Sequence, residues 1–168
     1  MPRVHYVKAA RKANPVAEPG EPYFWWKFRH GGKRYSKTRP RPSQLTQSEK
    51  LSRTYALIER IEDLERPEAD DPEALATAID AAIAVLDDVA SEAREIAAEY
   101  QESAESIRAV FSDSETADQC DEKAEALEGW ADEADTARDS LEGIDRDDPE
   151  ALADALGESL DSLASSPI

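Results

Sequence analysis

Between Pro72 and Phe111 the chain runs without an internal glycine or proline. Its apolar residues recur at alternating steps of three and four: Ile79, Ala82, Leu86, Val89, Ala93, Ile96, Tyr100, then Ser103, Ile107 and Val110. That spacing draws one stripe along an α-helix over about five heptads, with Ser103 its one polar member. A second line through Ile83, Ala90, Ala97, Ala104 and Phe111 widens the stripe enough to meet more than one neighbour. At 1.5 Å per residue the helix is about 60 Å long, which commits the chain to an elongated bundle or coiled coil.

The flanking sequence supplies the other helices. Thr46 with Glu49 reads as a capping box, in which two side chains satisfy backbone donors reciprocally. A first helix over 46–66 follows, with Leu51, Tyr55, Ile58 and Ile61 on its apolar face and Arg66-Pro67 as its stop. Asp71-Pro72-Glu73 opens the long helix, 72–111, with a capping acid and a proline at the first position. Ser112 and Glu115 form another capping box after a short link, so a third helix over 114–142 returns antiparallel. Its stripe is Ala117, Cys120, Ala124, Leu127, Ala131, Ala134 and Leu141, with Trp130 alongside. The Asp-Asp-Pro-Glu-Ala-Leu-Ala start at Asp70 recurs at Asp147. It begins a fourth helix over 149–163 carrying Leu152, Leu156, Leu160 and Leu163. One echo reuses a start signal and does not make a repeat array.

Charge divides the chain. Residues 1–54 hold thirteen Lys/Arg against three acids, a net of +10; residues 55–168 hold seven against thirty-five, a net of −28. Segregation on this scale points to an anionic partner for the basic end, whereas the acidic end reads first as a solvated helix surface. We therefore expect a basic head over 1–42 with a flexible N-terminal arm, and an acidic helical body over 43–168. The fold class is mainly α: a small β-hairpin module followed by an elongated antiparallel bundle. A single cysteine, Cys120, excludes an internal disulfide and suits a reducing compartment. No leader-like or membrane-length apolar run is present, so a cytoplasmic protein with no membrane partner is expected.

The head centres on Tyr23–Thr38, YFWWKFRHGGKRYSKT. Aromatic residues favour half-buried strands, and Gly31-Gly32 is a two-residue hairpin signal. That turn pairs Arg29 with Arg34, Phe28 with Tyr35 and Trp26 with Lys37. It places Tyr23, Trp25, Lys27, Arg29 and Arg34 on one face, and Phe24, Trp26, Phe28, Lys33, Tyr35 and Lys37 on the other. Val4, Tyr6 and Val7 can add an edge strand; Pro15, Pro19 and Pro22 make the intervening segment extended or mobile. Arg39-Pro-Arg-Pro42 reads as a stiff polyproline connector.

Catalytic chemistry is not visible. His5 and His30 have neither metal-ligand nor catalytic spacing, and there is no cysteine pair, phosphate-binding loop or nucleophile elbow. A non-enzyme without cofactor or metal is expected. Interleaved aromatic and basic residues suit nucleic acid instead: a two-stranded ribbon fits a DNA major groove, and aromatics stack on unpaired bases. The competing reading makes the aromatics a miniature core kept soluble by the cations.

The run Trp26-Lys-Phe-Arg-His-Gly-Gly-Lys-Arg-Tyr-Ser-Lys-Thr38 resembles the hairpin of the arm-type, AP2-like DNA-binding modules of phage integrases. There a small sheet packs on a helix and reads DNA. The resemblance implies DNA contacts from Lys27, Arg29, Lys33, Arg34 and Lys37, with Trp26, Phe28 and Tyr35 packing. The chain departs from that family in showing no clear third strand and no recombinase catalytic domain. Its layout is also similar to small phage-encoded proteins of unassigned function. The expected nucleic-acid site is Trp25, Lys27, Arg29, Lys33, Arg34 and Lys37, with DNA preferred over RNA. The body would self-associate or recruit a protein. Two alternatives are an acidic DNA-mimic inhibitor of a nucleic-acid enzyme and a scaffolding coiled coil.

Overall fold

A computed structural model describes Met1–Ile168. The chain is mainly α, with four α-helices and a small three-stranded antiparallel sheet near its N-terminus. It divides into two compact units, Met1–Ala56 and Leu57–Ile168. The structural division thus lies later than the composition-based one after residue 42. Neither Tyr55 nor Ala56 is charged, so the units carry the same +10 and −28.

In the first unit, β1 (His5–Val7), β2 (Tyr23–Lys27) and β3 (Lys33–Ser36) lie in the order β1-β2-β3. β1 pairs with β2 as His5↔Trp25, Tyr6↔Phe24 and Val7↔Tyr23. The segment expected to be a flexible arm therefore supplies the third strand. The proline-rich stretch that follows is likewise pinned. Ala10 N–H donates to the Glu21 carbonyl at 2.8 Å and Gly20 N–H to the Ala10 carbonyl at 2.9 Å. Asn14 Oδ1 accepts from both Val16 and Ala17 N–H at 3.0 Å. Gly20 sits at φ +94°, a conformation that L side chains rarely adopt. These bonds satisfy backbone groups around the buried Ala10 and Ala17.

The hairpin register differs from the expected one. β2 and β3 pair as Phe24↔Ser36, Trp25↔Tyr35, Trp26↔Arg34 and Lys27↔Lys33, leaving 28–32 as the loop. A type I′ two-residue turn needs positive φ at both central residues. Neither glycine adopts that conformation: Gly31 is near-extended at φ 159°, and Gly32 has no positive φ. Tertiary contacts hold the wider loop instead: the Gln47 amide donates to the His30 carbonyl at 2.8 Å, and Phe28 lines a cleft beside Trp26.

Pro42–Leu45 forms a 3-10 turn, so the polyproline connector ends sooner than expected. The first α-helix, α1 (Glu49–Glu62), starts later than 46 because Ser48, not Thr46, caps it: Ser48 Oγ accepts from Leu51 N–H. Thr46 Oγ1 is already taken by Ser48 N–H at 3.1 Å. α1 ends at Glu62 rather than 66, its last turn tightening as Leu64 N–H donates to the Ile61 carbonyl.

The second unit contains the end of α1 and α2 (Pro72–Arg108), α3 (Glu115–Glu142) and α4 (Pro149–Leu163). Asp71 and Asp148 cap α2 and α4 alike, each accepting from the N–H three residues on, at 3.0 and 3.2 Å. Cross-helix pairs show the antiparallel alignment of α2 with α3: Arg108 meets Asp118, Gln101 meets Glu128, Arg94 meets Asp132, and Asp87 meets Arg138. Leu75, Ile79, Leu86, Val89 and Ile96 of α2 are fully buried, as are Leu127 and Leu141 of α3 and Leu156, Leu160 and Leu163 of α4.

The expected stripe holds to Tyr100 and then drifts. Ala97 and Ala104 are buried, whereas Ser103 and Ile107 are half-exposed and Val110 and Phe111 lie exposed beyond the helix end. A straight α-helix rotates away from a seven-residue repeat by about 20° per heptad, so the buried face moves to the second line. The N-cap position of α3 is Ser114 rather than Ser112; its side chain makes no capping hydrogen bond, and its carbonyl accepts the first helical bonds from Ala117 and Asp118 N–H. No helix is long and apolar enough to cross a membrane.

Candidate nucleic-acid interface

Side chains on one strand alternate between faces, and residues directly paired across strands share a face. With the observed register, His5, Val7, Tyr23, Trp25, Lys27, Lys33 and Tyr35 lie on one face of the sheet. Tyr6, Phe24, Trp26, Arg34 and Ser36 lie on the other. The expected faces are therefore corrected. Lys33 and Tyr35 join Trp25 and Lys27, Arg34 moves to the Trp26 side, and the supposed Arg29–Arg34 pair does not form.

Trp25 is the centre of the first face. His5 stacks on it with ring centroids 4.2 Å apart and planes 9° from parallel. Lys33 Nζ reaches it from the opposite flanking strand, 4.5 Å from the ring centroid. The cation is attracted by the ring's quadrupole, which moves it off the opposing Lys27. Like charges directly across a ladder repel, and no carboxylate intervenes. Tyr23 and Tyr35 pack beside them at 6.1 Å. The result is an aromatic strip with exposed ammonium groups at its loop end. Sequence reasoning missed His5; the alternation of Val4 and Tyr6 around it was the available signal.

The remaining expected residues are dispersed. Arg29 lies in the 28–32 loop, and Arg34 projects from the other face of edge strand β3. Lys37, just past β3, is paired with Glu21 at 3.7 Å. The Glu21 carboxylate is held below the ordinary glutamate range, first by the N–H of Glu18 and then by Lys37. Around the sheet, Arg3, Lys8, Arg11, Lys12, Lys27, Arg29, Arg34 and Arg39 are exposed and make no ion pair.

Trp26 is 4% exposed and belongs to the packed side, where it lines a cleft of about 480 Å³ with Phe28, Arg34, the 3-10 turn and α1. This combination can hold polyanions through unpaired cations and planar groups through aromatics. No cluster of three His, Cys, Asp or Glu side chains is arranged to hold a metal ion. No protein-family model, curated protein or solved structure matches the chain, so its geometry alone bears on function.

Proposed function

We propose that the protein is a non-enzymatic nucleic-acid-binding adaptor. The basic sheet unit contacts DNA in preference to RNA, and the acidic helical unit mediates self-association or recruits a protein. The observation that carries this reading is the face on which Trp25, His5, Lys27 and Lys33 converge, within a unit of net +10. Phosphate neutralisation supplies most of the affinity in such contacts, and aromatic surface adds stacking wherever bases are unpaired. The small sheet is also in keeping with the resemblance to arm-type, AP2-like modules, whose hairpins sit in a sheet. A compartment such as the cytoplasm, where nucleic acid is accessible, suits this role.

The test is fluorescence anisotropy of the full chain against a labelled 20-bp duplex, beside Lys27→Glu/Lys33→Glu. The wild type should bind at low salt, and the variant should lose at least tenfold in affinity with its helical content intact. Equal affinities would refute the assignment of this face.

The −28 of the second unit favours a second reading, in which its carboxylates mimic DNA and inhibit a basic nucleic-acid enzyme. Its arginines are all tied to carboxylates, so the excess negative charge is unrelieved. Salt-sensitive inhibition of a nuclease by the full chain, retained in Lys27→Glu/Lys33→Glu, would favour it over the adaptor role.

A further inference from the structure

Residues 33 and 34 lie next to each other on an edge strand, and their side chains leave it in opposite directions. Lys33 serves the Trp25 face. Arg34 serves the other side, in the wall of the 480 Å³ cleft. The apolar part of the wall comes from Trp26, Phe28 and, on α1, Ala56, and no lining residue is acidic.

The hydrogen-bonding groups left over in this wall are mainly donors. The Arg34 guanidinium is exposed and makes no ion pair. Gln44 uses its Oε1 to accept from Arg41 N–H at 3.2 Å, and its amide N–H groups have no partner. The Trp26 indole N–H is buried without an acceptor. Ser52, by contrast, is already satisfied, donating to the Ser43 carbonyl at 2.7 Å. A cleft with a free cation, spare donors, aromatic walls and no carboxylate matches a ligand that is anionic, planar and rich in acceptors.

We propose that this cleft receives one unpaired nucleotide of a bound strand, with its phosphate on Arg34 and its base against Trp26 and Phe28. The inference rests on the nucleic-acid reading above and adds to it a second, base-holding site across the β3 edge. A backbone lying along Lys33 reaches Arg34 by turning around that edge. Carbonyl and ring-nitrogen acceptors on the base answer the Gln44 amide donors.

The experiment compares binding of the full chain to three labelled probes: a 20-bp duplex, the same duplex with a one-nucleotide bulge, and the same bulge made abasic. The bulged probe should bind about tenfold more tightly than the duplex, within the range expected for one stacked base. The abasic bulge should lose that preference. Ala56→Leu, which fills the cleft without changing charge, and Arg34→Gln should each abolish the preference, and Ala56→Leu should leave duplex affinity unchanged. Duplex binding without a bulge preference in the wild type overturns this site and leaves the adaptor reading standing. So does a preference that survives both variants. Failure to bind any of the probes overturns both.

Discussion

The two units use the same cations in opposite ways. In the acidic unit Arg60, Arg66, Arg94, Arg108, Arg138 and Arg146 each tie one segment to another. Arg60 joins α1 to α2, Arg66 reaches α4, Arg94, Arg108 and Arg138 bridge α2 and α3, and Arg146 returns to Asp80. In the basic unit nine exposed cations, Lys33 among them, have no acid to meet. The first arrangement is internal and structural. The second leaves positive charge unspent at the surface of a sheet whose aromatics are already ordered, as the proposed contact with a polyanion requires.

The largest effects test whether each unit's stability depends on its apolar contacts rather than on these charges. Leu86 is fully buried on α2, and Leu86→Ala should cost about 3 kcal/mol, lowering the melting temperature by roughly 10 °C on helical circular dichroism. A change under about 0.5 kcal/mol would mean that the stripe does not form the core. Next comes Lys27→Glu, which sharpens the contrast because binding and stability should move in opposite directions. It converts a like-charge pair with Lys33 into an attractive one, worth roughly 0.2–1 kcal/mol in stability. Nucleic-acid affinity should nevertheless fall severalfold. A parallel loss of both would place Lys27 in the folding of the sheet instead.

Arg138 has the least exposed side chain of the bridging arginines and meets Asp87, Asp135 and Asp139. Those carboxylates raise the pKa of its guanidinium, with the Asp139 hydrogen bond the largest cause. Removing it leaves three acids facing one another, so Arg138→Leu should lower the melting temperature of the acidic unit at low salt. Much of that should return at 0.5 M salt, as screening weakens the repulsion at roughly a 4–5 Å Debye length. A loss unaffected by salt would make the side chain's packing, not its charge, the reason for its position.

The smallest effect belongs to Glu21, the one acid with a cationic partner near the sheet. Its folded pKa is depressed, so its contribution to stability is complete above the unfolded value and disappears as pH falls through the folded one. By NMR titration its midpoint should lie below the ordinary glutamate value and rise in Lys37→Ala. The Glu18 N–H bond should keep it partly depressed even there.

How much was legible follows from how local each signal is. The Asp-Pro-Glu starts of α2 and α4 are complete in four residues, and both caps form where that pattern places them. The stripe of α2 was readable to Tyr100, until helix rotation carried the buried face elsewhere. The sheet was less legible because β1 and β2 are separated by the fifteen residues 8–22, and no periodicity spans such a gap. The Gly-Gly signal misled for a related reason: Gln47, distant in sequence, holds the His30 carbonyl and widens the loop. That change of register moved Lys33 and Tyr35 to the Trp25 face and sent Arg34 into the cleft wall. Residue types were enough to suggest a basic aromatic site. Which residues share each of its two faces required tertiary structure.

The central claim is that unpaired cations of the basic sheet unit neutralise nucleic-acid phosphates. It is tested most directly by the salt dependence of duplex binding by the full chain. Log affinity should fall linearly with log salt at a slope of about −3 or steeper, corresponding to three or more phosphate contacts, and Lys27→Glu/Lys33→Glu should reduce the slope by about 2. Binding that is independent of salt, or a slope unchanged in the variant, would contradict it.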